Sequence, residues 1–98
     1  MESQAPLRRG LILHALLGQY PLALTQVALE RQVSPFYQAS EPKTLARDLA
    51  YLEEKRFLRH ESHEVGGRVF NTFLLTPAGV DIVERVTTDA GVEIARVS

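Results

Sequence analysis

Leu45, Leu49 and Leu52 recur at i, i+4 and i+7, the spacing that sets three side chains on one stripe of an amphipathic helix, with Ala46 and Ala50 at its margin. This predicts a helix from Pro42, preset in φ and preceded by Ser40 as a cap, to about Lys55. Residues 57–61 then predict a strand, and residues 68–75 a returning one. Gly66 and Gly67 supply the positive φ of the turn between them, and His63, Glu64 and Val65 are expected to lengthen the loop beyond a two-residue minimum. Thr76 and Pro77 cap and open a last helix in which Val80, Val83 and Val86 recur at i, i+3 and i+6.

Upstream, residues 1–6 offer no apolar period and are expected to form a flexible tail. A first helix is expected from about Pro6 to Leu17, ended by Gly18 in the left-handed conformation and barred from continuing by Pro21. Leu7, Leu11 and Ala15 form one stripe of it, but Ile12, Leu13, Leu16 and Leu17 spread round most of the remaining circumference. A helix apolar nearly all round is buried nearly all round, so this one calls for a covering C-terminal helix or a partner chain. His14 is expected to be packed at that interface or in the core. Residues 22–24 read as a short extended segment, Thr25 as an N-cap, and residues 26–32 as a helix burying Val27, Ala28 and Leu29. Ser34 and Pro35 end it, and Phe36 and Tyr37 are expected to pack down. Residues 88–98 alternate weakly and fit a loop, a strand or an arm onto a partner.

A chain of 98 residues with 45% hydrophobic and 23% charged residues has room for one globular domain. It has no cysteine, hence no disulfide, no thiolate nucleophile and no soft metal site, which favours the cytoplasm. The longest apolar run, residues 11–17, falls far short of the roughly 20 residues of a membrane span. The two arginines ahead of it are expected to belong to a helix of the fold and not to a leader peptide. With a net charge of −1 the chain has no bulk attraction to nucleic acid, so any such attraction must be local.

The order helix, short strand, helix, helix, two-stranded hairpin, helix resembles a winged helix-turn-helix domain. LARDLAYLEEKRFL (residues 45–58) looks like a recognition helix and first wing strand. FLLTPAGVDIVE (residues 73–84), with Leu75, Thr76, Pro77 and Gly79 as its L-T-P-x-G element, resembles the closing strand and turn of many small bacterial regulators. More narrowly, the chain is similar to short ArsR-type winged-helix proteins of Mu-like phages and prophages, whose G-V-D element and G-x-x-A-R tail are echoed at residues 79–81 and 91–96. The resemblance implies an α+β, mainly helical fold: a three-helix core, a two-stranded wing and a C-terminal helix over residues 7–87, then a tail or arm over residues 88–98. Arg56 departs from the pattern, standing where many such domains close the helix with a glycine.

At roughly 100° per residue, Lys43, Thr44, Arg47, Tyr51, Glu54 and Lys55 fall opposite the leucine stripe, as the face of a recognition helix would. Arg47 suits a bidentate contact to guanine, Lys43, Thr44 and Tyr51 suit the backbone, Arg68 near the wing tip suits a phosphate or the neighbouring groove, and Lys55 is counted with them as DNA-binding. Between residues 41 and 68 every cation is offset by an acid, so a double-stranded DNA-binding version requires a dimer, expected through the first and last helices. The alternative from the same residues is a winged-helix protein–protein interaction or phage assembly module. His60 and His63 point to opposite faces of a strand, which disfavours metal chelation. No nucleophile, phosphate loop or acid pair marks an enzyme, and no cofactor is implied.

Overall fold

Pro6, in the first turn, has no backbone N–H that a helix must satisfy, and it opens α1, Ala5–Leu17. The computed structural model of the chain describes residues 4–36 and 42–95. The cap expected of Ser40, the packing expected of Phe36 and Tyr37, and the ends of both tails lie outside the described residues and side chains. Helix α1 is the hub: Ile12, Leu13 and Leu16 are fully buried, and Leu7, Leu11, Ala15 and Leu17 are half-buried. The cover that its apolar circumference demands comes from within the chain, from helices, sheet and the C-terminal segment. His14 is the exception, since it is exposed on the chain and not packed in the core. Gly18 ends the helix in the right-handed region at φ −60°, not the left-handed one, because successive tight turns (Gln19 N–H to Leu16, Tyr20 N–H to Leu17) satisfy the last carbonyls.

Strand β1 is only Leu24–Thr25. Thr25 also caps α2, Gln26–Val33, its hydroxyl accepting from the Ala28 N–H at 3.2 Å. Leu29 and Val33 are the residues α2 buries, while Val27 is 59% exposed. The inward stripe therefore runs one residue position round from the expected one. After a short 3-10 turn at Ser34–Phe36 comes α3, Pro42–Glu54, whose Leu45, Leu49 and Leu52 enter the core.

Helix α3 stops at Arg56, which takes φ 65°; the Phe57 N–H reaches back to the Leu52 carbonyl, so the last carbonyls are satisfied by a left-handed cap. Strand β2, Leu58–Val65, and β3, Arg68–Leu75, pair in register from Leu58–Leu75 to Val65–Arg68. The turn is therefore the two glycines alone, at φ 59° and 81°, and the longer loop expected at residues 63–65 is instead the tip of a strand that starts one residue late and runs four further. The sheet order is β1-β3-β2, all antiparallel. One face of the hairpin's base, Leu58, Phe73 and Leu75, closes the core, and the outer half stands free of it.

Thr76 caps α4, Pro77–Val83, through the Gly79 N–H, and its own hydroxyl donates to the Arg56 carbonyl at 2.6 Å. The helix ends before the valine period is complete: the chain reverses at Arg85, φ 62°, and leaves Val86 70% exposed, while Ile82 is the residue that enters the core. The architecture is a small α+β domain of four α-helices and a three-stranded antiparallel sheet among the described residues. None of these helices is long and apolar enough to cross a membrane.

Candidate nucleic-acid interface

The exposed arc of α3 runs along Lys43, Ala46, Arg47, Ala50, Glu53 and Glu54. It is rotated away from the arc that the leucine stripe predicts, because Thr44 and Tyr51 are half-buried and Asp48 is buried. Two segments distant in sequence cause the rotation. The first turns of α1 bring Arg8 and Arg9 to Asp48, with Nε to carboxylate distances of 2.9 and 3.2 Å. Residues 89–94 then fold back across the same side of the helix. Asp89 accepts from the Tyr51 hydroxyl at 2.5 Å and pairs with Lys55 at 3.5 Å. The Arg9 guanidinium lies 3.9 Å from the centre of the Tyr51 ring and donates to the Gly91 carbonyl, and the Glu93 N–H donates to Pro6.

Glycine is required at two of these approaches. A Cβ on Gly91 would overlap the Tyr51 hydroxyl, and one on Gly10 would overlap the Glu93 carbonyl. The hydrogen bond to Asp89, then burial, raises the Tyr51 pKa above the ordinary phenol value. The same hydrogen bond, with the Gly91 N–H and Lys55, outweighs burial and holds the Asp89 carboxyl below its ordinary value. This cluster is a strap that fixes the C-terminal segment to α1 and α3.

The six residues expected at a DNA surface therefore divide. Lys43 and Arg47 stand together on the open arc of α3 and, among the described residues, pair with no acid. Tyr51 and Lys55 belong to the strap, and Thr44 lies half-buried on that side. Arg68 sits apart at the hairpin tip, beside the exposed Val65, Val69 and Phe70. The feature that sequence reasoning missed is Asp48. It lies three residues after Leu45 and four before Leu52, so the helical period itself sets this lone acid at the edge of the buried stripe, facing any helix that brings cations.

Burial also redistributes the charge that sums to zero between residues 41 and 68. Asp48 is neutralised by α1, Lys55 by Asp89, and Arg59 lies 3.9 Å from Glu61. What α3 shows outward is then ordered along its axis: Lys43 and Arg47, with the small Ala46 and Ala50 beside them, on the N-terminal turns, and Glu53 and Glu54 on the last. His60 and His63 face opposite sides of β2, the first stacked on Phe73 with Nε2 2.8 Å from Asn71 Oδ1, the second 3.1 Å from the Thr72 hydroxyl. No protein-family model and no curated protein sequence matches the chain.

Proposed function

We propose that the chain is a winged helix-turn-helix domain that binds double-stranded DNA with the N-terminal half of α3 and uses the β2–β3 hairpin as its wing. The observation that carries this reading is the polarised outer face of α3. Lys43 and Arg47 lie at the end where the helix dipole also favours phosphate, and the acids are confined to the far end. Ala46 and Ala50 let the helix backbone come close to the groove floor and offer methyl groups to thymine. The sheet order β1-β3-β2 and the projecting hairpin are the arrangement that such a domain needs. Arg47 reads a base edge, Lys43 meets the backbone, and Arg68 carries the wing's charge. Three cations per copy, two of them facing phosphate, give a shallow salt slope and weak binding, so two copies act together, in the manner of a cytoplasmic transcription regulator.

The test is selection of a binding site from random duplexes, followed by fluorescence anisotropy with variants. Arg47→Ala should weaken specific binding by about 1–3 kcal/mol and relax the preference at one position, while Tyr51→Phe should leave affinity unchanged. Equal affinities for wild type and Arg47→Ala would overturn the proposal. A protein-interaction module is the second reading, favoured by the exposed Val65, Val69 and Phe70 at the hairpin tip. It gains ground if no duplex is selected.

A further inference from the structure

Strand β2 is an edge of the sheet along its whole length, since among the described residues its only neighbour is β3. In a two-residue hairpin the residues flanking the turn form the hydrogen-bonded pair, so Val65, His63, Glu61 and Arg59 turn their main-chain groups toward β3. Leu58, His60, Ser62 and Glu64 turn theirs outward. The structure therefore presents a row of outward N–H and C=O groups flanked by ionisable side chains. Charges on an edge ordinarily prevent pairing with another chain. The order of these side chains, with the length of the strand, favours one register.

We propose that this edge pairs with the same edge of a second copy, antiparallel, about a two-fold axis at Ser62. Outward groups must meet outward groups, so the axis can shift only in steps of one residue along the strand. With the axis at Ser62, His60 lies across from Glu64 of the second copy, Glu61 across from His63 of the second copy, and each relation occurs twice by symmetry. Every histidine meets a carboxylate. With the axis at Glu61, that acid faces itself and Arg59 faces His63; with the axis at His63, that histidine faces itself and only residues 61–65 of each strand overlap; with the axis at His60, Arg59 faces Glu61 but only residues 58–62 overlap, against residues 59–65 with the axis at Ser62. Opposite charges across a pair of strands stabilise it and like charges oppose it. The Nε2 atoms of His60 and His63 are engaged by Asn71 and Thr72 of their own hairpin, so Nδ1 is the ring nitrogen left for the carboxylates.

The antiparallel run also covers one residue of the apolar tip. Val65, 65% exposed in the single chain, comes to lie across from Arg59, whose aliphatic stem covers it. A two-fold axis perpendicular to the sheet keeps the core faces of both hairpins on one side, so the two α3 helices lie on the same side of a six-stranded sheet. The pairing goes beyond the DNA reading and does not depend on it, because it is measured without DNA.

Sedimentation equilibrium of the wild-type protein should give a reversible dimer. His63→Glu, which sets Glu opposite Glu twice, should weaken it about tenfold or more. The swap E61H/H63E, which rebuilds the same cross-strand pairs with the partners exchanged, should restore it. Circular dichroism checks that each variant folds. Because the chain has no cysteine, Ser62→Cys provides a second readout: a residue opposite itself at a Cα separation of about 5.5 Å is within disulfide reach, and oxidation should yield a covalent dimer. A wild type that stays monomeric at several hundred micromolar, an H63E variant that dimerises as well as wild type, a swap that fails to restore the dimer, or an uncrosslinked S62C variant would each overturn the proposal.

Discussion

Asp48→Ala removes the one buried acid of the described core, the carboxylate that Arg8 and Arg9 share. Breaking a buried ion pair from one side costs about 3–5 kcal/mol when the remaining charge stays dry. Here the side chains of Arg8 and Arg9 are 23% and 19% exposed, against 2% for Asp48, so both can recover part of their hydration by small rotations. The two charge-assisted hydrogen bonds are also not additive, because they share one carboxylate. The expected loss is therefore about 2–3 kcal/mol. At about 2.1 cal/mol/K of unfolding entropy per residue, a domain of this length should melt about 10–15 °C lower. Urea unfolding followed by far-UV circular dichroism measures the free energy, with Glu54→Ala as the exposed control expected within about 0.5 kcal/mol of wild type. A loss for Asp48→Ala no larger than that control would refute the view that Asp48 holds α1 against α3.

The strap has its own pH window. Asp89 is lowered in the folded state, so its contribution is complete above the ordinary carboxylate range and is lost as pH falls through the folded value. Tyr51 is raised, so its contribution is present below the ordinary phenol range and is lost as pH rises through the folded value. Stability should therefore fall off below about pH 4 and above about pH 10, and Asp89→Asn should flatten the acid limb in a series of urea melts. Arg56 occupies a left-handed conformation that costs a non-glycine residue about 1–2 kcal/mol. Arg56→Gly relieves this while loosening the unfolded chain, so a net gain of about 0.5–1 kcal/mol is expected from thermal melts; a loss would show that the Arg56 side chain contributes more than its backbone costs.

What the sequence discloses and what it hides divide along the distance between interacting residues. The leucine stripe of α3 and the caps at Thr25 and Thr76 are local, set by spacing within one or two turns, and the structure contains them where the spacing put them. The left-handed end at Arg56 is local too. The outer face of α3 is not. Which of its residues reach solvent depends on Arg8, Arg9 and Asp89, some forty residues away in either direction, and neither a short tail nor a pair of arginines shows a period that would place it there. The same holds for α4, where Val86 fits the helical spacing but the reversal at Arg85 removes it from the helix. The hairpin turn is shorter than its polar residues suggest for a different reason: two adjacent glycines satisfy both positive φ values of the tightest turn, so polar residues before them remain strand.

The hydrogen bond from Glu93 to Pro6, 2.9 Å long, sets the two ends of the described fold side by side on α1. A peptide link of a few residues there would close the backbone into a ring without crossing the core, and the chain could then be reopened at Gly66–Gly67, an open turn outside the hydrophobic cluster. Such a permutant would carry its two ends on the separate strands of the wing while α3, its charged outer face and the strap stayed as they are. Folding order would be rewritten, since β2 and β3 would become the first and last segments of the chain and the most local contact in the sheet the most distant in sequence.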